Sequence, residues 1–404
     1  MRTLLRGLLV VLLLALAAAL LWAFRPWSEH SPFEVYRFSE ASDRKPAYRA
    51  METIYPSAPI AASPTPYDFP DAARQLSGEY TVNGRRRTVE DYAAERETTG
   101  LIVLHGGEVV LERYFGGETA EDRHTSWSVA KSVIATLVGR ALMDGEIDSL
   151  DDPAEKYAPE YAGTDYGATS LRHLLAMSSG IDFDEDYEVD GSDIRRLFFG
   201  TFMRNKDVDE IVRSHERNRP AGSDFDYISS NTAVLAAVLR GAYDTPVPQL
   251  AEEYVFAPLG MNAGSWLTDA PGGKALGYCC LQVTLRDYAK LGQLYLQDGV
   301  VGRTRVIPEG WAEYVRTPPS PDHEPGTGTA QSAQGYGAHF WLPADNDGEY
   351  AMQGYNGQVV WIDPKRDVVI AMTSADPTWP GDRPEFLAMF RSLAAQAAGR
   401  ETAG

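Results

Sequence analysis

The apolar and polar positions of this chain change period several times, and each change marks an element. The opening run, "LLRGLLVVLLLALAAALLWAFRPW", carries no charge from Gly7 to Phe24. As a helix that stretch spans roughly 27 Å, close to a hydrocarbon core. From residue 28 to about 75 periodicity is lost and Pro and Ser accumulate ("SAPIAASPTPYDFP"). This composition reads as a tether that packs loosely or wraps the folded domain. Order begins at "TGLIVLHGGEVVLERYFGG" (99–117), where two β-rich runs flank "HGGE" and predict an antiparallel hairpin.

A helical period succeeds the hairpin, with Val129, Val133, Ile134, Leu137, Val138 and Leu142 on one stripe. Helices and loops dominate from roughly 150 to 330. Within that span "LRHLLAMSSGIDFDEDYEVDGSD" is expected to end a helix at Ser179-Gly180 and open an acidic loop. "VTLRDYAKLGQLYLQDG" predicts an amphipathic helix, with Thr284 and Asp287 spaced as a capping box and Gly299 as its stop. Strands return at "YGAHFWLPA", "VVWIDP" and "DVVIAMTS", with "DPKRD" as a hairpin turn, and "RPEFLAMFRSLAAQAA" closes the chain as a helix. Strands at both ends with a helical insert predict an α+β fold, an antiparallel sheet flanked by helices with an inserted all-α subdomain. A doubly wound parallel sheet fits worse, because strands do not alternate with helices. The expected divisions are 1–27 (anchor or signal segment), 28–89 (tether and wrapping segment) and 90–404 (the folded domain).

Charge narrows the partners. A formal net charge of -20 argues against nucleic acid, which would be repelled. Arg2 and Arg6 precede the apolar run, which favours a cytoplasmic N-terminus and an exported domain. Ala17-Ala18-Ala19 offers a cleavage site for the rival reading, a removed signal peptide. Cleavage there would leave "LLWAF" as an apolar stub, so the run reads as an uncleaved anchor in a bacterial inner membrane, with the domain in the periplasm. Cys279 and Cys280 are the only cysteines and are adjacent. Closing a ring between neighbours strains the backbone, so a buried reduced pair is expected, and no Cys/His spacing suggests zinc.

Several common catalytic signatures are absent. There is no G-x-S-x-G, no H-E-x-x-H ("HERNR" fails at its last position) and no G-x-x-x-x-G-K-[ST]. S-x-x-K occurs twice. Ser42-Asp43-Arg44-Lys45 lies in a polar, Pro-flanked stretch and reads as chance. Ser128 instead opens the apolar helix, and Lys131 at i+3 falls on the same face. A helix N-terminus there favours developing negative charge. Lys131 acts as a base only when neutral, so its pKa must fall from about 10.4 to roughly 7–8, a cost of ~4 kcal/mol that burial in an apolar face can supply. The bland alternative is a snorkelling surface lysine.

"SVAKS" at the head of an apolar helix resembles the serine β-lactamase and penicillin-binding-protein superfamily. "LRHLLAMSSGI" is similar to its "LLxHTSG" segment, and "PAGSDFDYISSNTAVLAAVL" to the stretch holding its tyrosine. "FAPLGM", "VTLRDYAKLG" and "GYNGQVVWIDPKRDVVIAMTS" match in order, over about residues 90–395. The "SGIDFDEDY" loop and the F-x-Y-x-S-x-N-T pattern most resemble the 6-aminohexanoate-dimer hydrolase subgroup. The resemblance implies Ser128 as nucleophile, Lys131 as general base and Tyr227 as second proton-transfer group. It also implies an oxyanion hole from the N–H groups of Ser128 and Tyr355, with Ser229 and Gly354 at the substrate. Where penicillin-recognising relatives carry K-T-G, this chain has Met352-Gln353-Gly354, so the carboxylate clamp is missing. The loop 181–193 holds seven carboxylates in thirteen residues. If it borders the pocket, Asp182, Asp184 and Asp186 are candidates to attract an amine-bearing substrate; otherwise it is a solvated surface loop. The expected activity is acyl transfer on a small amide or ester, without metal or organic cofactor. A D-alanyl peptidase or β-lactamase is one rival, and a non-catalytic binding or sensor domain is another.

Overall fold

The strand runs at the two ends of the sequence are apolar at nearly every position because both of their faces are buried. In the computed structural model, which describes residues 2–24, 31, 44–326, 333–379 and 384–399, they form one seven-stranded antiparallel sheet. Its order from edge to edge is Gly335–Tyr336, Trp341–Leu342, Tyr350–Gly354, Gln358–Asp363, Val368–Ser374, Thr98–His105 and Glu108–Tyr114. The expected N-terminal hairpin therefore closes onto the last strand, with Ile102 opposite Ala371 and Val103 opposite Ile370. Alternation divides the side chains. Ile102, Leu104, Val360 and Val369 share a core with Tyr288, Leu291 and Leu294 of the helix Leu285–Leu296. Leu101, Val103, Trp361 and Ile370 share the other with Phe386, Phe390 and Leu393 of the helix Pro384–Ala397. A large apolar side chain buried this way contributes about 1.5–3 kcal/mol, so the helix–sheet–helix sandwich carries the fold.

The Thr284 cap forms as its spacing predicts, the hydroxyl accepting from the Asp287 N–H and donating to its carboxylate at 2.7 Å. Two local expectations fail. The helix before the acidic loop is Leu171–Leu175, ending ahead of Ser179-Gly180, because Met177 turns left-handed at φ 54°. "YGAHFWLPA" is not one strand. It folds back on itself as two short paired strands, with His339 at φ 62° in the bend.

The insert between the sheet halves packs the helices Val129–Asp144 and Ser229–Tyr243 against each other. Beside it lies a four-stranded sheet ordered Ser57–Ile60, Gly264–Leu267, Leu281–Thr284 and Arg123–Thr125. The pairing of the last two strands, Thr125 against Gln282, sets residues 278–280 next to the turn that leads into the Val129 helix. At the N-terminus the helix Arg2–Phe24 carries an exposed apolar run, Leu5–Trp22, long enough to cross a membrane.

Residues 44–60 lie along the domain and reach its centre. Tyr48, in the short helix Lys45–Arg49, is 2% exposed. Its ring stands edge-on to His124 and Trp127 at 5.5 and 5.6 Å, and its hydroxyl accepts from Asn356 Nδ2 at 2.5 Å. Tyr48→Ala is therefore expected to destabilise the domain by about 3–5 kcal/mol in urea unfolding. Tyr48→Phe, which keeps the ring and removes the hydroxyl that accepts from Asn356, should cost about 1–3 kcal/mol. Equal losses for the two would show that the ring packing is not what holds this segment down.

Candidate active site

Ser128 stands at the N-cap of a sixteen-residue helix, Val129–Asp144, and is half-buried. The residue before it, Trp127, is held at φ 43°, an uncommon conformation for a bulky side chain. The surroundings hold it there. Its ring meets Tyr48, Phe198 and Tyr355 edge-on, and its carbonyl accepts from Ser126 Oγ at 2.9 Å and from the Cys280 N–H at 3.3 Å.

One turn into the helix, Lys131 is 2% exposed and points back along the axis, as helical side chains do. Its Nζ donates to Ser128 Oγ and to the Tyr278 carbonyl, both at 2.8 Å. Loss of water around the ammonium pushes its pKa down to about 8, while the negative charge of Glu185 resists the fall. The snorkelling alternative is thereby excluded. Tyr227 closes the third side. Its hydroxyl is within hydrogen-bonding reach of Ser128, and Lys131 Nζ sits 5.1 Å from its ring centre. Burial and the Glu185 charge push the Tyr227 phenol up, so it keeps its proton.

Across from the serine, Gly354 ends the strand Tyr350–Gly354. A Cβ there would lie 2.3 Å from the Ser126 carbonyl oxygen and 3.1 Å from the Ser128 nitrogen. Only glycine admits this approach of the strand end to the Ser126–Ser128 backbone. Among the described residues the N–H groups of Ser128 and Tyr355 donate to no backbone acceptor outside the helices and strands. Met352, on the same strand, is buried in the core, and Gln353 Nε2 donates to Gln334 Oε1 at 3.2 Å. No cation stands at either position.

Asp182, Asp184 and Asp186 are exposed. Asp184 Oδ1 accepts the Asp186 N–H and Asp186 Oδ1 the Glu188 N–H, so two of the three carboxylates brace their own loop. The carboxylate that turns inward is Glu185. It accepts from the Ser229 N–H at 2.8 Å, from Ser229 Oγ at 2.5 Å and from the Tyr187 hydroxyl at 2.9 Å. Burial pushes its pKa up, and the charge of Lys131 opposes that. Tyr187 then stacks on Tyr355, with ring centres 5.1 Å apart. Glu185 and Tyr187 are not among the residues expected from the sequence, although the signal is present there. Ile181 and Phe183 are buried and Asp182, Asp184 and Asp186 exposed, so the loop alternates, and Glu185 and Tyr187 fall on the inward set. The second S-x-x-K begins at Ser42, outside the described residues.

The cysteine expectation is overturned. Cys279 and Cys280 are joined by a disulfide, with Cys280 at φ 75° in a tight turn. That turn has room for the ring which adjacency alone marks as too strained.

The family model described as beta-lactamase matches residues 85–392. The 6-aminohexanoate-dimer hydrolase of Paenarthrobacter ureafaciens is 29% identical over 299 residues, 72% of this chain and 75% of that protein. A D-aminopeptidase of Cereibacter sphaeroides is 23% identical over 185 residues, 44% of this chain and 34% of that one. Among solved structures, a Bacillus anthracis protein assigned as a 6-aminohexanoate-dimer hydrolase superposes with a TM-score of 0.82 at 21% identity, covering 94% of this chain and 99% of its own. A penicillin-binding protein from Bacillus halodurans gives 0.58 at 14% identity, covering 76% and 99%. The two superpositions agree with the antiparallel sheet, its flanking helices and the helical insert. With the family model spanning most of its length, the chain belongs to the beta-lactamase family and is a hydrolase of the serine β-lactamase fold.

Proposed function

We propose that the protein cleaves small amides or esters through an acyl-enzyme on Ser128. The observation that carries this is the 2.8 Å contact between Ser128 Oγ and an amine whose burial brings its pKa to about 8. Neutral Lys131 takes the Ser128 proton as Oγ bonds to the substrate carbonyl carbon. The oxygen of that carbonyl gains charge and is met by the N–H groups of Ser128 and Tyr355, at the positive end of the helix. When the tetrahedral intermediate collapses, the leaving amine or alcohol takes a proton from the Tyr227 hydroxyl, which recovers it from the Lys131 ammonium. Water repeats the sequence to release the acid and free Ser128.

The substrate reading rests on charge. Without a cation at 352 or 353, a penicillin-type carboxylate has no partner, which weighs against β-lactam or D-alanyl peptide substrates. Glu185 sits at the site and Asp182, Asp184 and Asp186 ring its loop, a field that favours an amine-bearing substrate. The name of the Paenarthrobacter relative, a hydrolase of the 6-aminohexanoate dimer, is consistent with that chemistry. The exposed apolar helix at the N-terminus supports an inner-membrane anchor with the domain in the periplasm; a cleaved signal segment is the alternative.

Treatment with a fluorophosphonate, followed by intact mass and peptide mapping, should place one adduct on Ser128. Ser128→Ala should abolish it, and Lys131→Ala should slow it by about 10²–10⁴-fold. A full-rate adduct in either variant would overturn the assignment. The pH profile gives a second test. Lys131 works only when deprotonated, so kcat/KM should climb as pH rises through about 8. The Glu185 carboxylate favours the ammonium, so Glu185→Gln should move that limb to lower pH. A limb that stays put, or moves upward, would show that Glu185 does not act on Lys131.

A further inference from the structure

The neighbour that fixes Lys131 from the other side is a backbone atom. Of the two oxygens that receive Lys131 Nζ, one is the nucleophile and the other is the Tyr278 carbonyl. A peptide carbonyl has no side chain to anchor it, so the turn that bears it must itself be held. That turn is Tyr278-Cys279-Cys280, where the chain enters the strand Leu281–Thr284. Several hydrogen bonds tie it down, among them Leu267 N to the Cys280 carbonyl at 3.2 Å and Cys279 N to the Leu276 carbonyl at 2.9 Å. Trp266 Nε1 donates to the Cys279 carbonyl at 2.9 Å, the Cys280 N–H donates to the Trp127 carbonyl, and Leu281 N donates to Ser126 Oγ at 2.9 Å. The turn thus reaches both residues that precede Ser128 as well as the base. Its pivot, Cys280, holds φ 75°, where a side chain other than glycine is disfavoured unless something restrains it. The restraint is covalent, and it is buried: Cys279 is 2% exposed and Cys280 0%.

Resting on the proposed roles of Ser128 and Lys131, we infer that the Cys279–Cys280 disulfide is a positioning element of the catalytic site. It locks the turn so that the Tyr278 carbonyl holds the Lys131 amine on Ser128 and the Trp127 carbonyl keeps its place. In the proposed periplasmic setting such a bond persists. Opening it takes two electrons and two protons, which a dithiol supplies while closing its own disulfide, leaving two cysteine thiols. The freed Cys280 then relaxes toward negative φ, the Tyr278 carbonyl moves off Nζ, and the base loses its second anchor.

The test uses the full chain in detergent. Intact mass after alkylation, without reductant, should show no free thiols. The fluorophosphonate rate at Ser128 and the kcat and KM for a p-nitrophenyl ester are then compared among wild type, Cys279→Ser/Cys280→Ser and Cys279→Ser/Cys280→Gly. The Ser/Ser variant should label at least about tenfold more slowly, with kcat falling and KM held, because a displaced base costs rate and not binding. The Ser/Gly variant also lacks the bond, but glycine takes φ 75° freely, so its labelling should return to within about threefold of wild type. A purely structural role would lower the melting temperature of the Ser/Ser variant and leave its rate unchanged well below that temperature. Should the Ser/Ser chain fail to fold, wild type reduced with dithiothreitol, its two thiols confirmed by mass, reports the same loss. Two free thiols in the untreated protein, or equal rates with and without the bond, would overturn the inference. A wild type that takes no adduct at all would overturn the serine-hydrolase reading instead.

Discussion

Everything in this site depends on keeping one lysine without water. An ammonium in bulk solvent is a poor base at neutral pH, and a serine alone is a poor nucleophile. In the proposed mechanism burial corrects the first defect, and the 2.8 Å contact passes the benefit to the second. The cost is a charged group taken from solvent, which the surrounding apolar helices must carry. That is why the serine helix is buried without a break from Val129 to Gly139, where an ordinary surface helix would show a polar face. Glu185 sets the opposing limit. Its carboxylate favours the ammonium and so resists the fall.

The proposed oxyanion hole requires two backbone N–H groups at one point. Trp127 at φ 43° and Gly354 against the Ser126 carbonyl are the two local departures that make this possible. Neither conformation is favoured alone. Tyr48 spans both, touching Trp127 on one side and accepting from Asn356, next to Tyr355, on the other. The short helix Lys45–Arg49 is thereby packed against the candidate site.

What was legible in the sequence was local. Ser128 and Lys131 are three residues apart on one helix, so their spacing alone set them face to face. Tyr227 is singled out only by the resemblance of its stretch to the family's tyrosine segment, whereas the capped helix Leu285–Leu296 is legible because Thr284 and Asp287 are fixed by cap geometry. The long-range and backbone features were hidden. No residue type announces the Tyr278 carbonyl as a partner for Lys131, and a tryptophan gives no hint of a left-handed backbone. Tyr48 lies in a stretch without periodicity, so its burial came only with the tertiary fold. Glu185 is the instructive intermediate. Counting carboxylates in the loop pointed to Asp182, Asp184 and Asp186, whereas the alternation set by Ile181 and Phe183 points to Glu185. Adjacency argues against the disulfide on strain, yet the bond forms in a turn where Cys280 holds a positive φ.

The most direct measurement is the titration of Lys131 itself. The chain has only seven lysines, so the amine can be assigned by NMR of the lysine-labelled domain with Lys131→Arg as the control. Burial of the amine predicts that one lysine loses its proton near pH 8 and that its signal is absent from the control. A Lys131 that titrates with the surface lysines near about 10.4 would contradict this, because no neutral base would then stand beside Ser128 at working pH.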